Sequence, residues 1–353
     1  MSSIKLKGSS SGDVTITVPA AAGTNTVTIP AATGTLPLSN LDHVTNRQNA
    51  KPIFINGAME VWQRGTALAS DSGNYAADRF WYSGTGMTSQ RSTDAPSGFS
   101  YSNKLTYGSA DMSIGQPIEL PAAGEQGMFI AGQKITIAFY GKVDSGTEAI
   151  SVVINARNSK FSSTNSTSFT TSSDSATLTT DWQRFTNTFT IPTINANNVI
   201  LAFELAGIGK TAYFTGIQAE LGEFNTTTIP PFQHESFGDN LRRCERYYQT
   251  LEFNNIVLVG NSYSAAEAAG INTFNKMRTA PTVTLPASGQ SNGQISYITS
   301  AGNYPSTIGS HSATPISNGS FRHRGQGYSG LTSTGVSWLY VNGACSILLD
   351  AEL

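Results

Sequence analysis

The chain has 353 residues, 21 Lys and Arg against 23 Asp and Glu, a formal net charge of −2 at pH 7, and only 12% charged residues. With no basic excess and no block of like charges, it lacks the concentrated Lys/Arg patch that neutralises a phosphate backbone, which argues against nucleic acid as a partner. It also lacks the run of about 18 apolar residues that a membrane span needs.

Aromatic residues make up 10% of the chain, too many for a disordered protein. The polarity comes from Ser, Thr, Asn and Gly, which suit strands and turns, so the expected fold class is all-β. The opening MSSIKLKGSSSGDV has no apolar h-region, so no secretory signal is expected. Cys244 and Cys345 lie far apart without a paired neighbour and read as buried free thiols. His43, His234, His311 and His323 are scattered, so neither a metal site nor a cofactor is expected.

Residues 1–51 form the first segment. Thr17–Thr24 reads TVPAAAGT and Thr28–Thr35 reads TIPAATGT, two uncharged phrases that each run from β-branched residues into a Pro-Ala-Ala turn. Proline confines such runs to edges, and one copy has too little side chain to make a core. The tract is expected to be an extended anchor around Val18, Pro19, Ile29 and Pro30, held by sister chains or by a docking protein. Residues 41–51 read as a polar joint.

Residues 52–235 read as short strands between Gly, Ser and Asn turns, the pattern of a jelly-roll sandwich. In KITIAFYGKV, Ile135, Ile137 and Phe139 alternate with Thr136, Ala138 and Tyr140. QRFTNTFTIP, NVILAFEL and AYFTGIQAEL supply further runs. A connecting helix is expected over 236–252, with Ser236 and Asp239 as a capping box. Its apolar stripe would be Phe237, Leu241, Cys244, Tyr248 and Leu251, either an oligomer seam or a face docked on a sheet. Residues 253–353 return to β runs and are expected to form a second, sandwich-like domain, the outward tip that contacts the receptor.

Sequence matches to catalytic motifs fail on context. Gly8–Gly12 fits GxSxG inside a Ser/Gly linker, and Gly325–Gly330 fits GxGxxG with no helix after it. Glu60, Asp71, Asp78 and Asp94 show no spacing that brings two carboxyls together, so no catalytic residue is assigned. Trp62, Trp81 and Tyr82 are candidates for stacking on sugar rings, with burial in the sandwich core as the alternative. In the last domain Tyr297, Tyr304 and Tyr328 fall in loop-like stretches. The cluster Arg322, His323 and Arg324 there suits anionic sugars or phosphates.

Several phrases together resemble tailed-phage fibre proteins. KLKGSSSGDVTITVPAAAGTNTVTIPAATGTLP is similar to their virion-proximal segment. INGAMEVWQRGT with YAADRFWYS resembles the start of their carbohydrate-binding-module-like jelly roll. FTGIQAELGEFNTTTIPPFQ and LRRCERYYQ are similar to the end of that jelly roll and its helix. MRTAPTVTLP and LLDAEL resemble the C-terminal domain. The resemblance implies a non-enzymatic homotrimer located in the virion. Its N-terminus would be attached to tail, adaptor or capsid proteins, and it would adsorb to host-surface glycan. A head decoration fibre and a polysaccharide depolymerase are the alternatives. The large N-terminal adaptor domain of T7-like tail fibres is missing, which leaves the attachment point open.

Overall fold

Alternation of apolar and polar side chains builds almost the whole molecule out of antiparallel strands. The computed structural model describes residues 3–7, 13–17, 51–69, 74–121, 127–157, 168–191, 193–194, 200–289, 291–300 and 309–352. The chain divides into two units, Met1–Lys51 and Pro52–Leu353. In the first unit, β1 (Ser3–Lys7) pairs antiparallel with β2 (Asp13–Thr17), placing Leu6 opposite Val14. Most of VTITV therefore finds a partner in the preceding IKLK run, which the sequence pattern did not identify as a strand. Val18, Pro19, Ile29 and Pro30 lie outside the described residues.

In the second unit the expected sandwich consists of two six-stranded antiparallel sheets. The first contains β3 (Ala67–Ala69), β6 (Thr88–Ser92), β7 (Ser102–Thr106), β9 (Lys134–Val143), β12 (Gln183–Thr190) and β14 (Ala212–Leu221). Their order is β12-β9-β14-β7-β6-β3. The second contains β4 (Asn74–Tyr75), β5 (Trp81–Ser83), β8 (Met112–Glu119), β10 (Glu148–Arg157), β11 (Ser168–Leu178) and β13 (Ile200–Ile208). These run β11-β10-β13-β8-β5-β4. Ile135, Ile137 and Phe139 of β9 point inward as their alternation predicts, and meet a core that includes Ile114, Phe203, Leu205 and Phe214. Each such side chain contributes about 1.5–3 kcal/mol on burial.

The connecting helix is shorter than expected. Helix α1 spans Phe237–Glu245, with the Ser236 hydroxyl accepting from the Asp239 N–H as the capping box requires. It ends where Tyr247, Tyr248 and Thr250 introduce side chains that favour strands. Strand β15 (Tyr248–Ser264) begins inside the segment expected to be helical, and Tyr248 pairs with Asp350. The supposed stripe therefore does not lie on one face. Phe237 is exposed, Cys244 and Tyr248 are buried within their own chain, and Leu251 packs on the last domain's core. This corrects the expectation of an oligomer seam along Phe237, Leu241, Cys244, Tyr248 and Leu251.

Among the described residues the last domain is built on a seven-stranded sheet. Besides β15 it contains β16 (Glu267–Thr273), β17 (Thr282–Thr284), β18 (Ile295–Ser300), β19 (Ser310–Ser317), β20 (Ser320–Gln326) and β21 (Val336–Asp350). The order is β17-β21-β15-β16-β20-β19, with β18 also on β21. Phe321, Leu339, Val341, Ile347 and Leu349 line its core.

A buried charged joint ties this sheet to the sandwich. Arg79, 1% exposed, donates from Nη1 to Glu352 and from Nη2 to the Pro117 carbonyl at 2.7 Å, and lies 3.5 Å from the Tyr247 ring centroid. Arg64 reaches the other Glu352 oxygen at 3.2 Å and covers the Tyr248 ring at 3.5 Å. Burial works against the Arg79 charge, but the facing Glu352 carboxylate outweighs it and holds the guanidinium protonated. Asp78 is not Arg79's partner. It accepts from the Gln63 N–H at 2.9 Å and from the Gln63 carboxamide at 2.5 Å. Next to it, the Asn56 side chain accepts from Glu60 and Val61 and donates to the Val61 and Asp78 carbonyls. Asn56, Met59 and Arg79 all adopt positive φ, a conformation uncommon outside glycine and held here by these bonds. INGAMEVWQRGT, YAADRFWYS, RCERYYQ and LLDAEL all converge on this joint.

Candidate functional site

The joint determines which surfaces of the sandwich stay open. On β5, Tyr82 points into the sandwich core and Trp81 points the other way, onto Tyr247 and Ala202. Trp62 is also buried, with its indole N–H donating to the Met59 carbonyl at 2.7 Å. At exposures of 8%, 3% and 0%, Trp62, Trp81 and Tyr82 are not available for stacking on sugars, and the core alternative holds for all three. Strand β5 is covered on both faces, so its consecutive aromatics are both buried.

The outer face of the other sheet is uncovered over part of its area. The register sets a row of side chains across it: Lys142 on β9 opposite Tyr213 on β14, then Lys104 on β7, then Gln90 on β6. Tyr213 lies between two ammonium groups, Lys142 Nζ at 4.9 Å and Lys104 Nζ at 5.7 Å from its ring. Trp182, just before β12, meets Tyr213 edge-on, with centroids 6.4 Å apart and planes at 72°. The two half-exposed rings make an open corner.

Asp94 fixes one side of that corner. Its Oδ1 accepts from the Trp182 indole at 2.9 Å and its Oδ2 from Lys142 Nζ at 2.5 Å. Burial raises the Asp94 pKa slightly, but these two bonds prevail and hold the carboxyl below the usual range. The next row carries Arg184 opposite Tyr140 and Tyr140 opposite Thr215. There β14 has a register shift between Thr215 and Gln218, and Gly216 has φ 61°. A Cβ on Gly216 would stand 2.7 Å from Phe99 and 2.8 Å from Tyr140. The bare backbone thus lets Phe99 settle on the sheet, where it packs against Tyr140, Phe232 and His234 with centroids 5.0–5.4 Å apart. Arg184 donates to the Gln218 carboxamide oxygen and to the Pro230 backbone carbonyl, both at 3.0 Å, which pins the strap carrying Phe232. The result is an aromatic wall beside the Trp182–Tyr213 corner.

The sequence reading missed this face, although Tyr140, Lys142 and Tyr213 occupy outward positions of plainly alternating strands. An aromatic at such a position was the signal.

The last domain places its expected residues differently. His323 is 1% exposed and points inward, its Nε2 3.1 Å from Nδ1 of His311, whose other nitrogen meets the Tyr328 hydroxyl. Tyr328 is buried as well. Arg324 is neutralised by both oxygens of Glu267. Of the proposed cationic cluster only Arg322 remains exposed, 5.6 Å from the Tyr263 ring. His323 and Tyr328 are thus corrected from ligand contacts to structural residues, because alternation on β20 turns His323 into the core, while Arg324 stays at the surface with Glu267 as its partner. Tyr297 sits on β18 opposite Tyr340, with its side chain outside the described residues, and Tyr304 lies outside them altogether. The outer face of this sheet exposes Val259, Tyr263, Ile271, Val336 and Trp338, each at least 41% accessible. A groove of about 490 Å³ opens there between Thr250–Phe253, Val259 and Ile271–Thr273. Among the described residues no group of three His, Cys, Asp or Glu could hold a metal ion.

No family model matches the chain, and no curated protein matches it. Solved structures do. The CBM22-1 xylan-binding domain of Paenibacillus barcinonensis Xyn10C matches with a TM-score of 0.31 and 13% identity over 50% of this chain and 99% of that one. The enzymatically active domain of bacteriophage CBA120 tailspike protein 4 matches with a TM-score of 0.31 and 12% identity, over 48% of this chain and 21% of that chain. A family 16 carbohydrate-binding module matches with a TM-score of 0.27 and 17% identity, over 37% and 84%. At such identities no residue's role passes from these proteins to this chain.

Proposed function

We propose that the chain is a glycan-binding fibre protein of a tailed-phage virion, attached through residues 1–51 and acting as a homotrimer. The observation that carries the glycan part is the Trp182–Tyr213 corner, with its flanking lysines and the Phe99–Tyr140 wall. Half-exposed aromatic rings present flat apolar faces to the C–H faces of sugars, while neighbouring polar groups orient the hydroxyls. The virion part rests on the order of sequence phrases along the chain. Three copies would raise a weak single-site affinity through effective concentration.

The proposed role is binding without cleavage. Glycoside hydrolysis calls for a carboxyl held protonated, and Asp94, the acid at the corner, is shifted the other way. The test is adsorption of particles carrying Trp182→Ala with Tyr213→Ala, alongside binding of the purified protein to host envelope glycans. Loss of both, with assembly and melting temperature unchanged, is the expected result. Normal adsorption would remove the face from recognition, and release of reducing sugar would restore the depolymerase alternative. Antibody labelling of intact particles distinguishes a tail position from a head decoration.

A further inference from the structure

We infer that the sugar bound at the corner carries a negative charge, and that Lys104 with Gln90 is the subsite that holds it. This rests on the glycan-binding proposal above and narrows its ligand class.

The argument is one of charge balance along the row. Lys142 is compensated, its ammonium 2.5 Å from Asp94 Oδ2 and its side chain 17% exposed. Asp94 is fully engaged, because its second oxygen takes the Trp182 indole N–H. Arg184 is tied to two neutral carbonyl oxygens under the Pro230 strap and lies in the next row. Lys104 differs from all of these. Across the strands it faces Tyr213 on one side and Gln90 on the other, and the row ends at Ala67 opposite Gln90. Among the described residues no carboxylate comes within ion-pair distance of its ammonium, whose neighbour is the Tyr213 ring at 5.7 Å. Gln90 is exposed, and its carboxamide has no hydrogen-bond partner among the described residues.

The row therefore runs from a closed acid–base pair beside the rings to an open cation with an adjacent amide donor. Strands lie about 4.8 Å apart. A pyranose stacked on Tyr213 would thus carry an exocyclic carboxylate or phosphate about one strand further on, over Lys104 and Gln90. An ammonium and an amide N–H side by side suit the two oxygens of one anionic group. A neutral saccharide would leave the ammonium uncompensated beside the bound ring.

The experiment uses the full chain and matched pairs of probes at low salt. One arm compares tetragalacturonate with its methyl ester, and the other compares glucose 6-phosphate with glucose. These arms separate carboxylate from phosphate as the source of the charge. The anionic member of at least one pair is expected to bind roughly tenfold tighter, as one charge-assisted hydrogen bond would give. That preference should shrink at about 0.5 M salt through screening. Lys104→Gln should bring the ratio close to one, while Lys134→Gln, a control on the same sheet that bonds Thr190 instead, keeps it. Equal binding of charged and neutral probes, or a preference that survives Lys104→Gln, overturns the inference. If neutral glycans bind and the Trp182→Ala variant loses them, the glycan proposal stands without it. If no probe and no envelope glycan binds, both fall together.

Discussion

Arg79 illustrates how a single buried charge depends on its partner. Its guanidinium is closed off by Glu352, the Pro117 carbonyl and the Tyr247 ring, so removing Glu352 would leave a cation with nowhere to go. Glu352→Leu and Arg79→Met should each cost about 3–5 kcal/mol in urea unfolding, and the double change Arg79→Met with Glu352→Leu much less than their sum. Additive costs would show that the pair is not coupled. In the last domain, burial holds His311 at about 3 and His323 at about 4, down from 6.5, with the neighbouring His323 adding to the effect on His311. Both are neutral in the fold, so the unfolded chain takes up protons first as pH falls. Their contribution is complete above about pH 6.5 and declines toward pH 4, at up to about 1.4 kcal/mol per pH unit for His323. Stability should fall between pH 7 and 5, where carboxylates scarcely titrate, and His323→Gln should flatten that limb. The same slope in wild type and variant would exclude the pair as its cause. Neither the joint nor the histidine pair was legible in the sequence: the joint links residues 273 positions apart, and the pair depends on the β19–β20 register, which turns His323 toward His311. Even Asp78 and Arg79, adjacent in sequence, turn to different partners.

Elements were more legible where alternation alone decides. Strand β9 could be read residue by residue, because Ile135, Ile137 and Phe139 face the sandwich core while Thr136, Ala138 and Tyr140 face the other side, where Thr136 and Ala138 are covered as well. Strand β5 could not, because it is covered on both sides, and its consecutive aromatics looked equally like a platform and a core. Helix α1 had a readable start and an unreadable end: the cap is local chemistry, whereas the switch to strand at Tyr248 depends on pairing with Asp350, which the helical periodicity does not register. The bulge in β14 was invisible for a similar reason, since one glycine among 34 does not announce a register shift. It is nevertheless the element on which the aromatic wall rests. Gly216→Ala should cost about 1–2 kcal/mol for a side chain at φ 61°. It should also displace Phe99 and Tyr140, which a Cβ would touch. Glycan binding is expected to fall along with the melting temperature, and retention of both would mean that the loop adjusts without the bulge.

For the whole molecule, the sandwich was legible from its strand runs, and the last domain's sheet only as a region rich in strands. A trimeric fibre must bury surface between copies, and the apolar face around Val259, Ile271 and Trp338 is of the kind that marks such contacts. Light scattering should give three times the 37.4 kDa of one chain, and Ile271→Lys with Trp338→Lys should lower that mass. A wild-type monomer would reject the trimer. The joint has a different consequence, one of timing during synthesis. Arg79 and Glu352 are 273 positions apart, which at ribosomal speed is roughly fourteen to fifty-five seconds. Through that interval the sandwich can assemble and Tyr247 can cover Trp81, but Arg79 waits without its carboxylate until Glu352 emerges. Any chain that stops short of β21 keeps that wound open, an apolar patch around an unanswered cation. Nascent chains halted before residue 336 should therefore be cut by protease near Tyr75–Tyr82, and chains carried through Glu352 should resist.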